Sequence, residues 1–137
     1  MAQSTEVADL TAMEMLRLFR RKELSPVEAA EACLQRIERY NDRVNAFCLV
    51  DRETTLSLAR ESEQRWQRGQ PLGLVDGVPT AVKDVFMVKG WFNRKASHTI
   101  PDTPATDDAP AIAALRRNGF VPVGKVTTPE FGWKGIT

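Results

Sequence analysis

The sequence predicts an α/β fold, and three observations carry that expectation. The first half holds two Ser/Thr-x-x-Glu boxes, each opening an amphipathic helical run. The second half reads strand, crossover with helix, strand, which implies parallel neighbours in a right-handed unit. Hydrophobic residues at 42% and charged residues at 27% place the 137-residue chain among globular proteins long enough to bury a core.

The elements follow in order. Thr11-Ala12-Met13-Glu14 is a capping box, in which the threonine hydroxyl takes a free helix N–H and Glu14 reaches back. Ala12, Met15, Leu16 and Phe19 form the apolar stripe behind it. Ser25-Pro26-Val27-Glu28 is a second box, with proline where its missing N–H costs nothing. That helix is expected to bury Val27, Ala30, Cys33, Leu34 and Ile37 and to end near Tyr40-Asn41. Val44 to Val50 reads as a short strand. Asp51 is expected to cap a third helix running to Trp66 or Gln67, with Gly69 supplying the left-handed residue beyond it.

Gly77 to Lys83 is an apolar strand ending in a charge. Asp84 to Thr106 shows little periodicity, and a loop of that length usually lines a site. Thr106-Asp107-Asp108 is expected to open a helix with Pro110 in its first turn and Ala111, Ile112, Ala114 and Leu115 on its apolar face. Asn118-Gly119 ends it, and Phe120 to Val123 reads as the next strand. Pro122 argues against a central, fully paired position, or else marks a bulge. Residues 1–70 thus form a helical segment with one short strand, and residues 71–137 begin an α/β core expected to continue beyond residue 137.

Composition narrows the function. A net charge of +1, with no basic stripe interleaved with aromatics, gives no sign of a nucleic-acid partner. No apolar stretch approaches the roughly 20 residues that span a bilayer, so no membrane partner is expected. Met1 to Ala8 lacks the apolar region of a signal peptide, which makes the cytoplasm the expected compartment. Cys33 and Cys48 have no metal-type spacing and read as a buried pair of free thiols. With one histidine, neither a zinc site nor a Ser-His-Asp triad can be assembled, and no cofactor is expected.

Lys83 is the residue that carries chemistry. It stands at the C-terminal end of a parallel strand, the edge where open α/β sheets bind ligands. Desolvation there lowers a lysine pKa, and a neutral amine can act as a general base. The plainer alternatives are a lysine reaching out to solvent or pairing with Asp84.

Leu74-Val75-Asp76-Gly77-Val78-Pro79-Thr80-Ala81-Val82-Lys83-Asp84 resembles the "G-(I/V)-P-x-x-(V/I)-K-D" segment of the amidase-signature family. Lys89-Gly90-Trp91, Ala96-Ser97, Asp108-Ala109 and Leu115-Arg116-Arg117-Asn118-Gly119 follow that family's order. Gly124 to Gly132 is similar to its "G-K-T-x-x-P-E-F" run, and Leu24 to Glu28, Arg36 to Glu38 and Val44 to Phe47 match its front. The resemblance implies the N-terminal portion of an α/β/α fold, a mixed sheet covered by helices. It assigns Lys83 the role of catalytic lysine, which takes a proton from a serine on a cis peptide; that serine activates a second, nucleophilic serine. Both serines are expected in a Gly/Ser-rich segment beyond residue 137, so this chain alone is expected to be inactive.

Departures from the family pattern leave substrate preference open. Ala96 stands where the family has glycine, so a reshaped turn is expected there. Phe92-Asn93 replaces a proline-threonine pair, and Pro122 interrupts an apolar strand. Ser97 is not read as the nucleophile. Asp84 reads as orienting the lysine loop or capping a turn, and Lys125 and Glu130 as supporting residues. His98 reads as a loop histidine in solvent, and Trp91 and Trp133 as packing aromatics.

The resemblance thus implies a hydrolase of amide carbon–nitrogen bonds acting on a small carboxamide. The remainder of an amidase chain, or a second copy, is the expected protein partner. One alternative is the amide-hydrolysing subunit of a tRNA-dependent amidotransferase, against which Thr127-Thr128-Pro129 replaces the usual Asn-Met-Asp. Another is a non-catalytic binding or structural module.

Overall fold

The structure is a computed structural model and describes residues 6–137, so most of the polar start read over Met1 to Ala8 lies outside the described residues. A 3-10 turn, Val7–Asp9, leads into α1 (Ala12–Arg21) and α2 (Pro26–Val44). Next come β1 (Phe47–Leu49), α3 (Arg52–Gln67), β2 (Pro79–Lys83), α4 (Pro110–Arg117) and β3 (Val121–Val126). A last 3-10 turn spans Glu130–Gly132.

Both capping boxes form. Thr11 and Ser25 each accept from the backbone N–H of the glutamate three residues on, and Glu14 and Glu28 accept from the cap residues in return. Asp51 caps α3 through the Thr54 N–H at 3.0 Å. α2 runs past the expected end at Tyr40-Asn41 to Val44, where Asn45 takes the left-handed conformation (φ 48°) that stops it. Thr106-Asp107-Asp108 does not open α4. The helix begins at Pro110, and the Asp108 carboxylate instead accepts from the Lys89 N–H and holds Arg116.

The sheet has the order β1-β3-β2, with β1 antiparallel and β2 parallel to β3. β3 is therefore the middle strand, but β1 pairs only with its Lys125 and Val126, so at Pro122 the strand is paired on the β2 side alone, in keeping with a position that is not fully paired. The bulge reading holds: the β2–β3 register slips between Thr80/Ala81, and β3 passes from Pro122 to Gly124 across that step. The Pro122 carbonyl is satisfied from the side, by the buried Thr55 hydroxyl of α3 at 2.8 Å. β3 also runs to Val126, three residues past the expected Val123.

Helices cover the sheet. Val121 packs with Ala30 of α2 and Ala59 of α3. Val82 and Phe120 pack with Ile112 of α4 and with Val88 and Trp91 of the long loop. Cys33 is half-buried and Cys48 exposed, so the thiols are free but are not the buried pair expected. No helix among the described residues is long and apolar enough to cross a membrane.

Candidate functional site

β2 delivers Lys83 to the C-terminal edge of the parallel pair, where its partner across the ladder is Val126. Its amine donates to the Thr127 carbonyl at 2.8 Å and approaches the Thr137 hydroxyl at 3.5 Å. The side chain is exposed, so the dry setting expected for it is not built by these residues. Nor does it pair with Asp84.

Asp84 turns the other way. Successive strand residues point to opposite faces, and the Asp84 carboxylate is buried against the Lys125 ammonium at 2.7 Å. Lys125 is fully buried. Its remaining N–H groups go to the Phe92 carbonyl at 2.9 Å and the Asn93 side-chain oxygen at 2.8 Å. The Asp84 N–H donates to the Val126 carbonyl at 3.0 Å, closing the strand end onto β3.

The segment from Asp84 to Thr106 has no regular element but is well tied down. Trp91 is buried and its indole N–H donates to Asp51 at 2.9 Å. Lys89 bridges to Ala105 and Phe92 to Pro104. Ala96 adopts a left-handed conformation at φ 53° without being glycine, as does Lys95 at φ 51°. The Ser97 hydroxyl is buried and donates to Glu130 at 2.6 Å, which fits a structural serine. His98 is exposed as expected; Trp133, at 74% exposure, packs on little.

Beside the strand end lies a cleft of about 280 Å3, lined by Cys48, Asp84, Phe92, Arg94, Thr127 and Thr128 among others. The Thr128 hydroxyl is buried there and has no partner among the described residues. A larger apolar cleft of about 400 Å3 opens between α2 and the sheet, with Cys33, Ile37, Tyr40 and Pro79 in its wall. Burial pushes the Cys33 thiol pKa up, away from a reactive thiolate. Burial also pushes up the Cys48 thiol of the smaller cleft, so it is the nearby Lys83 amine and the unpartnered Thr128 hydroxyl that give that cleft the better chemistry. No cluster of three metal-ligating side chains occurs among the described residues.

The family model described as Amidase matches residues 28–137. The chain belongs to the amidase family. It is 39% identical over 133 residues to a glutamyl-tRNA(Gln) amidotransferase subunit of Salinispora tropica, a match covering 97% of this chain and 27% of that protein. It is 36% identical over 128 residues to an acylamidase of Rhodococcus erythropolis, covering 93% of this chain and 27% of that one. Among solved structures it superposes on a bacterial aryl acylamidase of the amidase-signature family with a TM-score of 0.84 and 25% identity, covering 96% of this chain and 28% of that one. This amidase chain thus spans about 27% of the length of the curated relatives it matches.

Sequence reasoning singled out Lys83 but missed the Asp84–Lys125 pair. The signal was faint: each charged residue lies just past the end of an expected apolar strand, and the register between the two strands was not known. Asn93 and Thr128 stood out in the sequence only as departures from the family pattern, with no sign that one would hold Lys125 and the other face the cleft.

Proposed function

We propose that this chain supplies the general base of an amide carbon–nitrogen hydrolase, with Lys83 as the terminal base of a Ser–cisSer–Lys relay. The observation that carries this reading is the place of Lys83. It lies at the C-terminal edge of a parallel strand pair, anchored on the Thr127 carbonyl beside a cleft whose Thr128 hydroxyl lacks a partner among the described residues. The relay serines come from the rest of a longer amidase, in keeping with the 27% share of its relatives that this chain spans. Docking of that remainder over the strand end excludes water from Lys83, which favours the neutral amine.

The neutral amine then draws a proton from the bridging serine, and that serine draws one from the nucleophilic serine. The nucleophile attacks the carboxamide carbon, the proton held by Lys83 returns through the bridging serine to the leaving nitrogen as the C–N bond breaks, and water hydrolyses the acyl ester. The substrate is a small carboxamide and the compartment is cytoplasmic.

The similarity to glutamyl-tRNA(Gln) amidotransferase subunits supports a second reading, in which the same chemistry releases ammonia to a partner protein. Purified complete protein decides between them. Hydrolysis of p-nitroacetanilide or benzamide without any partner is the expected result. Turnover of glutamine only, and only with a partner present, supports the second reading. No release of amine or ammonia from any of the three, with or without a partner, leaves a non-catalytic module.

A further inference from the structure

We propose that the buried Asp84–Lys125 ion pair is a positioning element for Lys83. The inference rests on reading Lys83 as the general base. Lys125 is fully buried and Asp84 is 5% exposed. A buried ion pair is a poor source of stability, because desolvating two charges offsets most of their attraction. What it does supply is a fixed geometry. The three oxygens around the Lys125 ammonium come from the end of β2, from the Phe92 backbone and from the Asn93 side chain. One cation therefore ties the strand end and the long loop to the middle of the sheet.

Lys83 is caught in the same clamp. Its own amine holds Thr127, the next residue's N–H holds Val126, and the next residue's carboxylate holds Lys125. Three consecutive residues, from Lys125 to Thr127, thus grip two consecutive residues at the end of β2, one of them the base. The β2–β3 ladder sets the register of Lys83, but its exposed side chain gains little restraint from packing, so the aim of its amine depends on this grip. Loss of the pair frees the Lys83–Asp84 peptide and the Phe92–Asn93 turn together, and the amine drifts relative to its relay partner.

The test uses the complete protein hydrolysing p-nitroacetanilide, with wild type, Lys83→Ala, Asp84→Asn, Lys125→Met and the double variant Asp84→Asn/Lys125→Met. Each single pair variant perturbs the buried charge balance and lowers the melting temperature. The double variant removes both charges at nearly constant volume and recovers much of that loss. The positioning role expects kcat to stay down about 100-fold in the double variant, because small misplacement of a catalytic group is costly. KM stays near the wild-type value, since no substrate contact is removed.

A double variant with wild-type kcat makes the pair merely structural and overturns the inference. If the Lys125 variants do not accumulate folded, Asp84→Asn is judged by the same kcat and KM criterion. Full turnover by Lys83→Ala, or none by the wild type, instead removes the reading on which the inference rests.

Discussion

Lys83 and Lys125 stand on adjacent parallel strands and are treated in opposite ways. Lys125 is fully buried with an acid and two neutral oxygens around its ammonium, whereas Lys83 is exposed and bonded to a backbone carbonyl. The first is committed to holding structure together. The second is held only through a backbone carbonyl and the more distant Thr137 hydroxyl. Lys83→Ala is therefore expected to leave the melting temperature of the complete protein unchanged while lowering amide turnover by several orders of magnitude. Steady-state kinetics beside a thermal melt checks both halves, and near-normal turnover ends the general-base assignment.

Asp76 is the acid on which the helical layer depends. Burial alone would raise its pKa, but hydrogen bonds from Arg65, Ser62 and the Leu72 N–H outweigh burial and hold it below the ordinary carboxylate range. A depressed folded-state pKa contributes stability above the unfolded value, and that contribution is lost as pH falls through the folded one. Wild type should lose this part of its stability only well into the acid range, below pH about 4. Asp76→Asn should lose about 3 kcal/mol at neutral pH and show a flatter acid limb. Urea unfolding followed from pH 7 downward measures both, and equal acid limbs would exclude Asp76 as the titrating group.

Gly124 occupies the bulge of β3 at φ 155°, and a Cβ there would run into the Leu49 carbonyl of β1. That atom is backbone and cannot rotate away. Gly124→Ala should cost about 2 kcal/mol or more through strain and loss of the β1 pairing. Hydrogen exchange should show the Thr127 amide, which donates to the Ala46 carbonyl, opening faster than in wild type. Unchanged protection would mean that β1 shifts without cost.

Trp91→Phe keeps most of the buried ring but deletes the indole N–H that reaches Asp51. Asp51 continues to cap α3 through its other oxygen. The expected loss is about 1 kcal/mol, with faster proteolytic nicking between residues 92 and 104, because the loop loses its tie to α3. Limited proteolysis with mass mapping reads this directly, and an unaltered cleavage pattern would show that apolar packing alone holds the loop.

Local chemistry made the helices legible. Thr11, Ser25 and Asp51 each satisfy N–H groups a few residues away, so their caps could be read without any knowledge of the fold. The end of α2 was misjudged because Asn45 stops a helix only by adopting a left-handed conformation, which asparagine does at some positions and not others. Pro122 was legible because its missing N–H is a local fact: β1 stops short of it, a bulge follows it, and the Thr55 hydroxyl donates to its carbonyl.

The amino-acid sequence alone determined the α/β class, the caps, the run of elements and the lysine at the end of β2, since each depends on residues near one another in the chain. Only the tertiary structure decided which charge meets which. Strand alternation sends Lys83 and Asp84 to opposite faces, and the parallel register sets Lys125 across from Val82, two residues before Asp84 on the same face, so that the ammonium reaches a carboxylate more than forty residues away in the chain. That partnership is a property of register between strands, and no spacing within one strand encodes it.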